Sequence, residues 1–500
     1  MKFRIAILLS VLTLSYPFSA MAESRQQTLS ISDAIRQAAE RNLDIKAELY
    51  NPAQYEADIN RNRAIYDPVL MLQSTYTDTV SQSAMRNTNG VNAYNKNLLL
   101  NSSLSQLLPT GGTVALQYNN TYYRNNSPAY LYNNYWVSSL GATVTQPLLK
   151  NFGRETTELA ISVSRLSKSL SIDQLNNKLL TVIGQVKTEY FKLYNLREQL
   201  EVKKVSLQLA KKILADTKAR VSAGVMPAME IASAEFGVSS REKDLIDAEK
   251  AVNDQNDYIR LLLQLENGGE IITQDTPLRD ELKINEEDAL KRTLDRPDIK
   301  AKKRSLEISD LQSRVYRNKT RPDLSLGASG SVTGLDNTFS EDMQKVSRGT
   351  SPAWSVGLTF TYPLGNRAAE NDYRKSRLQS EQITVQIRAL EESARNEVRS
   401  AIRNVNSCYK QIDVANRGRG YAEERLKAYI RKNQVGLATI KEVLDVENDL
   451  ANAKGNQITA LVNYDNAVTK LWQVTGELLE KEHIYFSENE TDRLYKKISR

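Results

Sequence analysis

Cysteine and histidine occur once each in 500 residues, as Cys408 and His483. A lone thiol has no internal partner for a disulfide, and a buried side chain on a helix is the plain expectation for Cys408. A lone imidazole in a polar C-terminal stretch leaves no Ser/His/Asp or Cys/His set to assemble. Metal-ligand spacings, phosphate-binding loops and dinucleotide fingerprints are missing too, so the chain reads as a non-enzyme with no cofactor. Charge of one sign is not concentrated: 67 Lys and Arg are dispersed among 60 Asp and Glu. The net +7 therefore makes no nucleic-acid patch. Beyond residue 22 no apolar run comes near the twenty residues of a spanning helix, so entry into a membrane would have to be as a barrel. Proline, 12 in all, is absent from residues 155–222 and 366–434. At 1.5 Å per residue each of those stretches makes a helical rod of roughly 100 Å, too long for a compact domain.

What is present begins with a leader. In residues 1–22, Lys2 and Arg4 precede an apolar core over residues 5–14, and Ala20-Met21-Ala22 ends in the small-x-small pattern cut before Glu23. No cysteine follows the cut, so an N-terminal lipid anchor is not expected. The rest is written twice. The segment SDAIRQAAERNLDIKAEL from Ser32 is answered by EEDALKRTLDRPDIKAKK from Glu286, and DPVLML from Asp67 by RPDLSL from Arg321. The strand exit ATVTQPLL is answered by LTFTYPLG, and VSAGVMPAMEI from Val221 by VGLATIKEVL from Val435. Four landmarks in one order indicate duplication of a whole unit. The organisation expected is a first repeat over 23–272, a second over 273–476 and a polar C-terminal tail over 477–500.

Both repeats contain runs of about ten residues with a period of two. Leu324, Leu326, Ala328 and Val332 alternate with Ser325, Gly327, Ser329, Ser331 and Thr333. Trp354, Val356, Leu358, Phe360 and Tyr362 alternate with Ser355, Gly357, Thr359 and Thr361, and Trp136, Leu140, Ala142 and Val144 with Ser139, Gly141, Thr143 and Thr145. One greasy face and one face of small polar residues suits a strand between lipid and water. An antiparallel sandwich with a solvated face shows the same alternation. Trp136 and Trp354 at strand starts, with Tyr-rich loops, favour the membrane through their likeness to an interfacial aromatic girdle. Strands are expected at about 69–80, 136–146, 323–333 and 353–362. The first repeat adds an alternating hairpin at about 98–122, joined by the tight turn Pro109-Thr110-Gly111-Gly112. It widens a barrel or folds outside it; the sequence leaves both open.

Long helices are expected at 155–222 and 366–434, with returning helices at about 228–265 and 438–475. In the last of these, Val443, Val446, Leu450, Ala453, Gln457, Ala460, Tyr464, Ala467, Leu471 and Val474 follow alternating steps of three and four, a sustained coiled-coil seam. A second stripe, including Glu442, Asp445, Asp449, Asn452, Asn456, Asn463 and Asn466, is polar throughout. It is either a solvated outer surface or the wall of a water-filled lumen. Gly418 and Gly420 are expected to loosen the outgoing rod locally, at roughly 1 kcal/mol each relative to alanine.

The order of these elements, the SDAI and EDAL openings, the QPLL and YPLG strand exits and the VSAGV and VGLAT turns resemble the TolC-type outer-membrane efflux and secretion proteins, the outer membrane factor family. The resemblance spans about 28–476. It implies an α+β membrane channel: a homotrimer in which each protomer gives four strands to a shared transmembrane β-barrel, continuous with a periplasmic coiled-coil barrel of long helices. The extra hairpin departs from that four-strand pattern. The resemblance also implies an outer-membrane location and partners: outer-membrane lipid, a periplasmic adaptor and an inner-membrane transporter of the RND, ABC or MFS type.

By the same resemblance the constricting acidic pair falls on Glu442 and Asp445, three apart and so on one helix face. Three chains would make a ring of six carboxylates whose titrations are coupled. On local physics alone, two exposed carboxylates near a helix start are ordinary. The acidic member of a tip latch falls on Glu230, while its basic partner falls on Ala438, which leaves Lys441 as a substitute. Val221, Gly224, Val435, Gly436 and Leu437 are the implied adaptor-contact tips, although helix-capping glycine explains Gly224 and Gly436 equally well. The function expected is a passive exit duct of a tripartite efflux or type I secretion machine, for small toxic compounds ahead of proteins. The alternatives are a structural or adhesive surface protein with a coiled-coil stalk, and an independent diffusion porin.

Overall fold

The computed structural model describes residues 27–82, 93–126, 130–266, 269–486 and 488–498, and the expected leader lies outside them. The chain opens with strand β1 (Gln27–Leu29), helix α1 (Ile31–Arg41) and helix α2 (Leu43–Arg63). Ser30 caps α1 by accepting the Asp33 amide at 3.1 Å, and Asn42 caps α2 through the amides of Asp44 and Ile45. Strands β2 (Val69–Ser81), β3 (Ala93–Leu107), β4 (Thr113–Asn125) and β5 (Asn134–Pro147) follow. A single turn α3 (Arg154–Thr157) then leads into α4 (Leu159–Ser222), which is answered by α5 (Met229–Leu263).

The second repeat retraces this path through β6 (Ile271–Thr273), α6 (Glu286–Thr293), α7 (Pro297–Lys319) and β7 (Asp323–Asp336). A helix α8 (Phe339–Arg348) intervenes before β8 (Pro352–Thr361), and the long pair α9 (Arg367–Gln434) and α10 (Ile440–Thr475) completes the repeat. The 64 residues of α4 and 68 of α9 give rods of about 96 and 102 Å. Helix α9 runs unbroken through Gly418 and Gly420. The stretch expected to be a polar tail is instead helical in part, with α11 (Leu478–Lys481) and α12 (Glu488–Ile498). Helix α12 returns to the body, where Lys168 on α4 reaches both Asp492 and Glu56 at 2.8 Å. A length of polar sequence hid it, because the stabilising partners are ionic and lie more than 300 residues away.

The two repeats join where β1 pairs in parallel with β6. Tyr190 on α4 locks the junction: its hydroxyl donates to the Leu29 carbonyl at 2.8 Å and accepts from the Gln274 amide at 3.0 Å. Burial pushes the Tyr190 phenol up to about 12. The surrounding core draws Leu175, Ile183 and Leu193 from α4, Ile259 and Leu263 from α5 and Ile271 from β6. Each such side chain contributes about 1.5–3 kcal/mol by leaving water. Along α10 the seam residues Val443, Val446, Ala460, Tyr464, Ala467, Leu471 and Val474 are buried, while Asn452, Asn456 and Asn463 on the polar stripe are exposed.

The remaining strands form one antiparallel sheet in the order β2-β3-β4-β5-β7-β8. The hairpin β3–β4 is therefore a part of the sheet, between β2 and β5, and the sheet has six strands where the family resemblance implied four. Paired residues share a face. One face runs through the pairs Leu70–Leu104, Leu116–Ala142, Leu140–Val332 and Leu326–Leu358, and the other through Gln73–Asn101, Asn119–Ser139 and Ser329–Ser355. The apolar face is bare: Leu72 is 72% exposed, Trp354 82% and Leu358 67%. A sandwich would bury that face under a second sheet, and the only other sheet among the described residues is the β1–β6 pair. Among the described residues, the apolar face beyond the patch under helix α8 therefore has no covering layer.

Helix α8 covers one patch of the apolar face, at the end of the sheet remote from the long helices. Asp342 is fully buried there and accepts from the Ser138 hydroxyl, while the Asn120 amide donates to that hydroxyl at 2.5 Å. Gly334 on β7 makes the close approach feasible, because a Cβ at that position would meet the Asp342 carbonyl oxygen.

Candidate gate at the helix tips

The far ends of the helix pairs close with the same device. After α4, Gly224 adopts φ +71, the Val225 amide reaches back to the Arg220 carbonyl at 3.0 Å and the Gly224 amide to Val221 at 2.9 Å. After α9, Gly436 adopts φ +76, with Leu437 to Lys432 at 2.8 Å and Gly436 to Asn433 at 3.1 Å. Both are left-handed C-caps that satisfy the last helical carbonyls, and a side chain at either glycine would be strained. Val225, Val435 and Leu437 are left 69–77% exposed, an apolar knuckle at each tip that none of the described residues covers. Val221, in the last turn of α4, is half-buried.

Helix α10 starts with a capping box. The Thr439 hydroxyl accepts the Glu442 amide at 3.2 Å, and Glu442 Oε2 accepts the Thr439 amide at 2.8 Å. These hydrogen bonds to the carboxylate hold Glu442 below the usual carboxylate range. Both the amide and the hydroxyl of Thr439 use Oε2. Asp445 follows one turn on, exposed, in a groove it shares with Met229, Phe236, Lys441 and Leu444. Glu442 and Asp445 thus project from one exposed face at the tip, and the same chemistry that makes Glu442 an anion also makes it a helix cap.

The latch residues lie otherwise. Glu230, in the first turn of α5, accepts the Ile440 amide at 3.3 Å and so docks against the start of α10. The Ala438 carbonyl is taken by the Asn433 side chain at 2.8 Å. Among the described residues Lys441 makes no ion pair with Glu230. The charged tie between the helix pairs is Arg241 with Glu447, three turns in from the tip. Arg241 Nη2 lies 3.0 Å from Glu447 Oε2 and donates at 2.7 Å to the Leu444 carbonyl, and Ser206 of α4 donates to Glu447 Oε1 at 2.5 Å. Glu447 is 3% exposed. Gly237 lets α5 approach, because a Cβ there would strike Leu444 Cδ1. The sequence signal for this tie was a carboxylate set into an otherwise apolar stripe on α10, Ile440, Leu444, Glu447 and Ala451, all buried. Among the described residues no cluster of His, Cys, Asp and Glu is arranged to hold a metal ion, and no helix is long and apolar enough to cross a membrane.

An antiparallel sheet carried by helices of about 96 and 102 Å has counterparts among known proteins. Residues 290–477 match the family of outer membrane efflux proteins. The match covers most of the second repeat. No curated protein matches the chain by sequence. Among solved structures, the transmembrane channel CusC is similar at 16% identity, covering 89% of this chain and 91% of that one with a TM-score of 0.65. The outer membrane protein VceC of Vibrio cholerae is similar at 14% identity, over 89% of this chain and 96% of that one, TM-score 0.63. The open-state MtrE outer membrane channel of Neisseria gonorrhoeae is similar at 17% identity, over 90% and 89%, TM-score 0.60. The chain therefore has the fold of these channels over nearly its whole length, and residues 290–477 of its second repeat are similar to outer membrane efflux proteins.

Proposed function

We propose that three copies of this chain enclose one aqueous duct, with the sheets closing a barrel in the outer membrane and the helices forming a tunnel that reaches into the periplasm. The observation that carries this reading is the pairing, in one protomer, of a bare apolar sheet face with rods far longer than any compact core requires. The duct is passive, and energy enters from an inner-membrane transporter joined to it by a periplasmic adaptor, in a tripartite efflux or type I secretion assembly. Export of small toxic compounds is preferred over export of proteins. The resting state is shut at the tips. There Glu442 and Asp445 from three copies make a ring of six carboxylates that draws cations, and the knuckles Val221, Gly224, Val435, Gly436 and Leu437 receive the adaptor. Glu230 and the Arg241–Glu447 tie hold α5 against α10, and opening requires those contacts to shift.

Cysteines at Asn452 and Asn463, in a Cys408→Ser background, test the duct directly. A membrane-impermeant thiol reagent admitted to the lumen should label both, and a dry interior that labels neither would remove the reading in favour of a closed stalk. Glu442→Ala with Asp445→Ala should raise bilayer conductance or weaken block by divalent cations; no change in either would sink the gate assignment.

A further inference from the structure

We propose that the membrane end of the duct is a wide outlet of eighteen strands, indifferent to charge, and that it passes bulky hydrated cargo of either sign. The inference rests on the trimeric reading above and on two observations of this chain. The first is the strand count. Hairpin β3–β4 is hydrogen-bonded along its length to β2 on one side and β5 on the other, so each copy brings six strands. The hairpin is also pinned at its turn. Thr110 accepts the Gly153 amide at 3.0 Å and the Gln146 side chain at 3.2 Å, and Gly111, at φ +87, lies where a Cβ would strike the Asn151 carbonyl oxygen. A segment held on both edges and at its turn is wall, not an appendage. With strands about 4.8 Å apart and tilted about 40°, eighteen give a barrel of about 36 Å between backbones, against about 24 Å for twelve.

The second observation is the polar face. In the registers of all six strands it carries Gln, Asn, Ser, Thr and Gly with a few apolar residues, and no Lys, Arg or Glu among the described residues. Asp323 is the one acid on it, at the end nearest the helices. Ionic side chains of the sheet, such as the Asp78–Lys96 pair at 2.7 Å, lie on the other face. A bore with neutral walls offers neither a field to steer one sign of cargo nor a barrier to the other. Charge selection then falls to the carboxylates at the opposite end, about 100 Å away.

Graded thiol reagents on intact cells test this in a Cys408→Ser background. Asn119→Cys on the polar face of the hairpin should react from outside with small cationic and anionic thiosulfonates at rates within about three-fold of each other. A charged bore would separate them about ten-fold or more. Tyr118→Cys, on the opposite face, should stay unreactive. Polyethylene-glycol maleimides of increasing size, tried on Thr143→Cys, should show a diameter cut-off about 1.5-fold larger in the full chain than in a chain lacking residues 93–125, in which β2 and β5 are free to pair. An unreactive Asn119→Cys, a ten-fold split between the two signs, or an equal cut-off would each overturn the proposal. If the shortened chain fails to assemble, the Asn119 and Tyr118 comparison decides alone. Chemical cross-linking that counts other than three copies would instead strike the trimeric reading, and so separates the two failures.

Discussion

Arg241 on α5 and Glu447 on α10 sit 3.0 Å apart, with side chains only 13% and 4% exposed, and Ser206 of α4 completes the cluster. A charge pair this far out of water adds little net stability compared with an apolar pair, but it leaves a large deficit when half of it is removed. Arg241→Met should therefore cost about 3–5 kcal/mol, by stranding the Glu447 charge in the α4–α5–α10 packing. Thermal unfolding of the purified protein should show the loss, and Arg241→Met combined with Glu447→Leu should recover much of it. If the tie also restrains the tips, the single variant leaks more current in a bilayer than the double. Equal stability of Arg241→Met and the unaltered chain would dismiss the tie as incidental.

Asp342 gives a second test, at the other end of the molecule. Asp342→Ala leaves the hydroxyl and the backbone amide of Ser138 short of a partner under α8. A deficit of about 1–3 kcal/mol is expected, with α8 more open to protease at Lys345 or Arg348. Unchanged protease resistance would mean that α8 is held by Phe339 against Trp136, 5.3 Å between rings, and not by its acid.

Acid sensitivity at the tip follows from the cap. Hydrogen bonds from Thr439 keep Glu442 ionised below the ordinary value of 4.5, so the contribution of the cap is fully present above that value and is lost as pH falls through the lower folded value. Thr439→Ala should move the loss of divalent block to higher pH, toward that of an ordinary Glu. A profile that does not move would separate the block from Glu442.

Asp465 has the opposite sign. Burial holds its carboxyl above the usual range, with Glu482 adding to the rise, although Lys187 on α4 and the Leu278 amide pull it down, and Oδ2 finds no partner among the described residues. The folded chain prefers the protonated form, so the stability it confers is full below the ordinary value of 3.8 and declines as pH rises through the raised one. Asp465→Asn should raise the thermal midpoint at pH 7.5, and the gain should shrink on acidification. A variant less stable at pH 7.5 would show that the Lys187 charge needs this anion.

Periodicity made the rods, the seam on α10 and all six strands of the large sheet, the hairpin's two among them, readable from the sequence, because each is a local pattern repeated many times. Leu324 and Leu326 against Ser325 and Gly327 announce a two-faced strand wherever it is placed. Which strands stand side by side is another matter: the choice between a hairpin within the sheet and one outside it turns on the Tyr118–Leu140 and Leu100–Ser74 pairings, fixed across the fold. Helix α8 was missed since its ten residues sit in what reads as a loop between two strands. Arg241 looks like a solvated helix charge until α4, α5 and α10 converge on it, whereas Glu447 is set into the apolar stripe of Ile440, Leu444 and Ala451. Glu442 and Asp445 came from the resemblance, and local physics would have given only a capped helix, which the Thr439 box also is.

The β1–β6 pair binds Gln27 to Ile271, residues 244 apart in the chain. Synthesis proceeds from the N-terminus, so Gln27–Leu29 has no strand to pair with until the whole first repeat and the start of the second have been made. Contacts so distant in sequence form late. The β1–β6 junction is then a late seam in a newly made chain, and until it closes the Tyr190 hydroxyl lacks the amides of Gln274 and Asp275 that it will accept from. A holding chaperone that recognises extended, unpaired segments has its opportunity there.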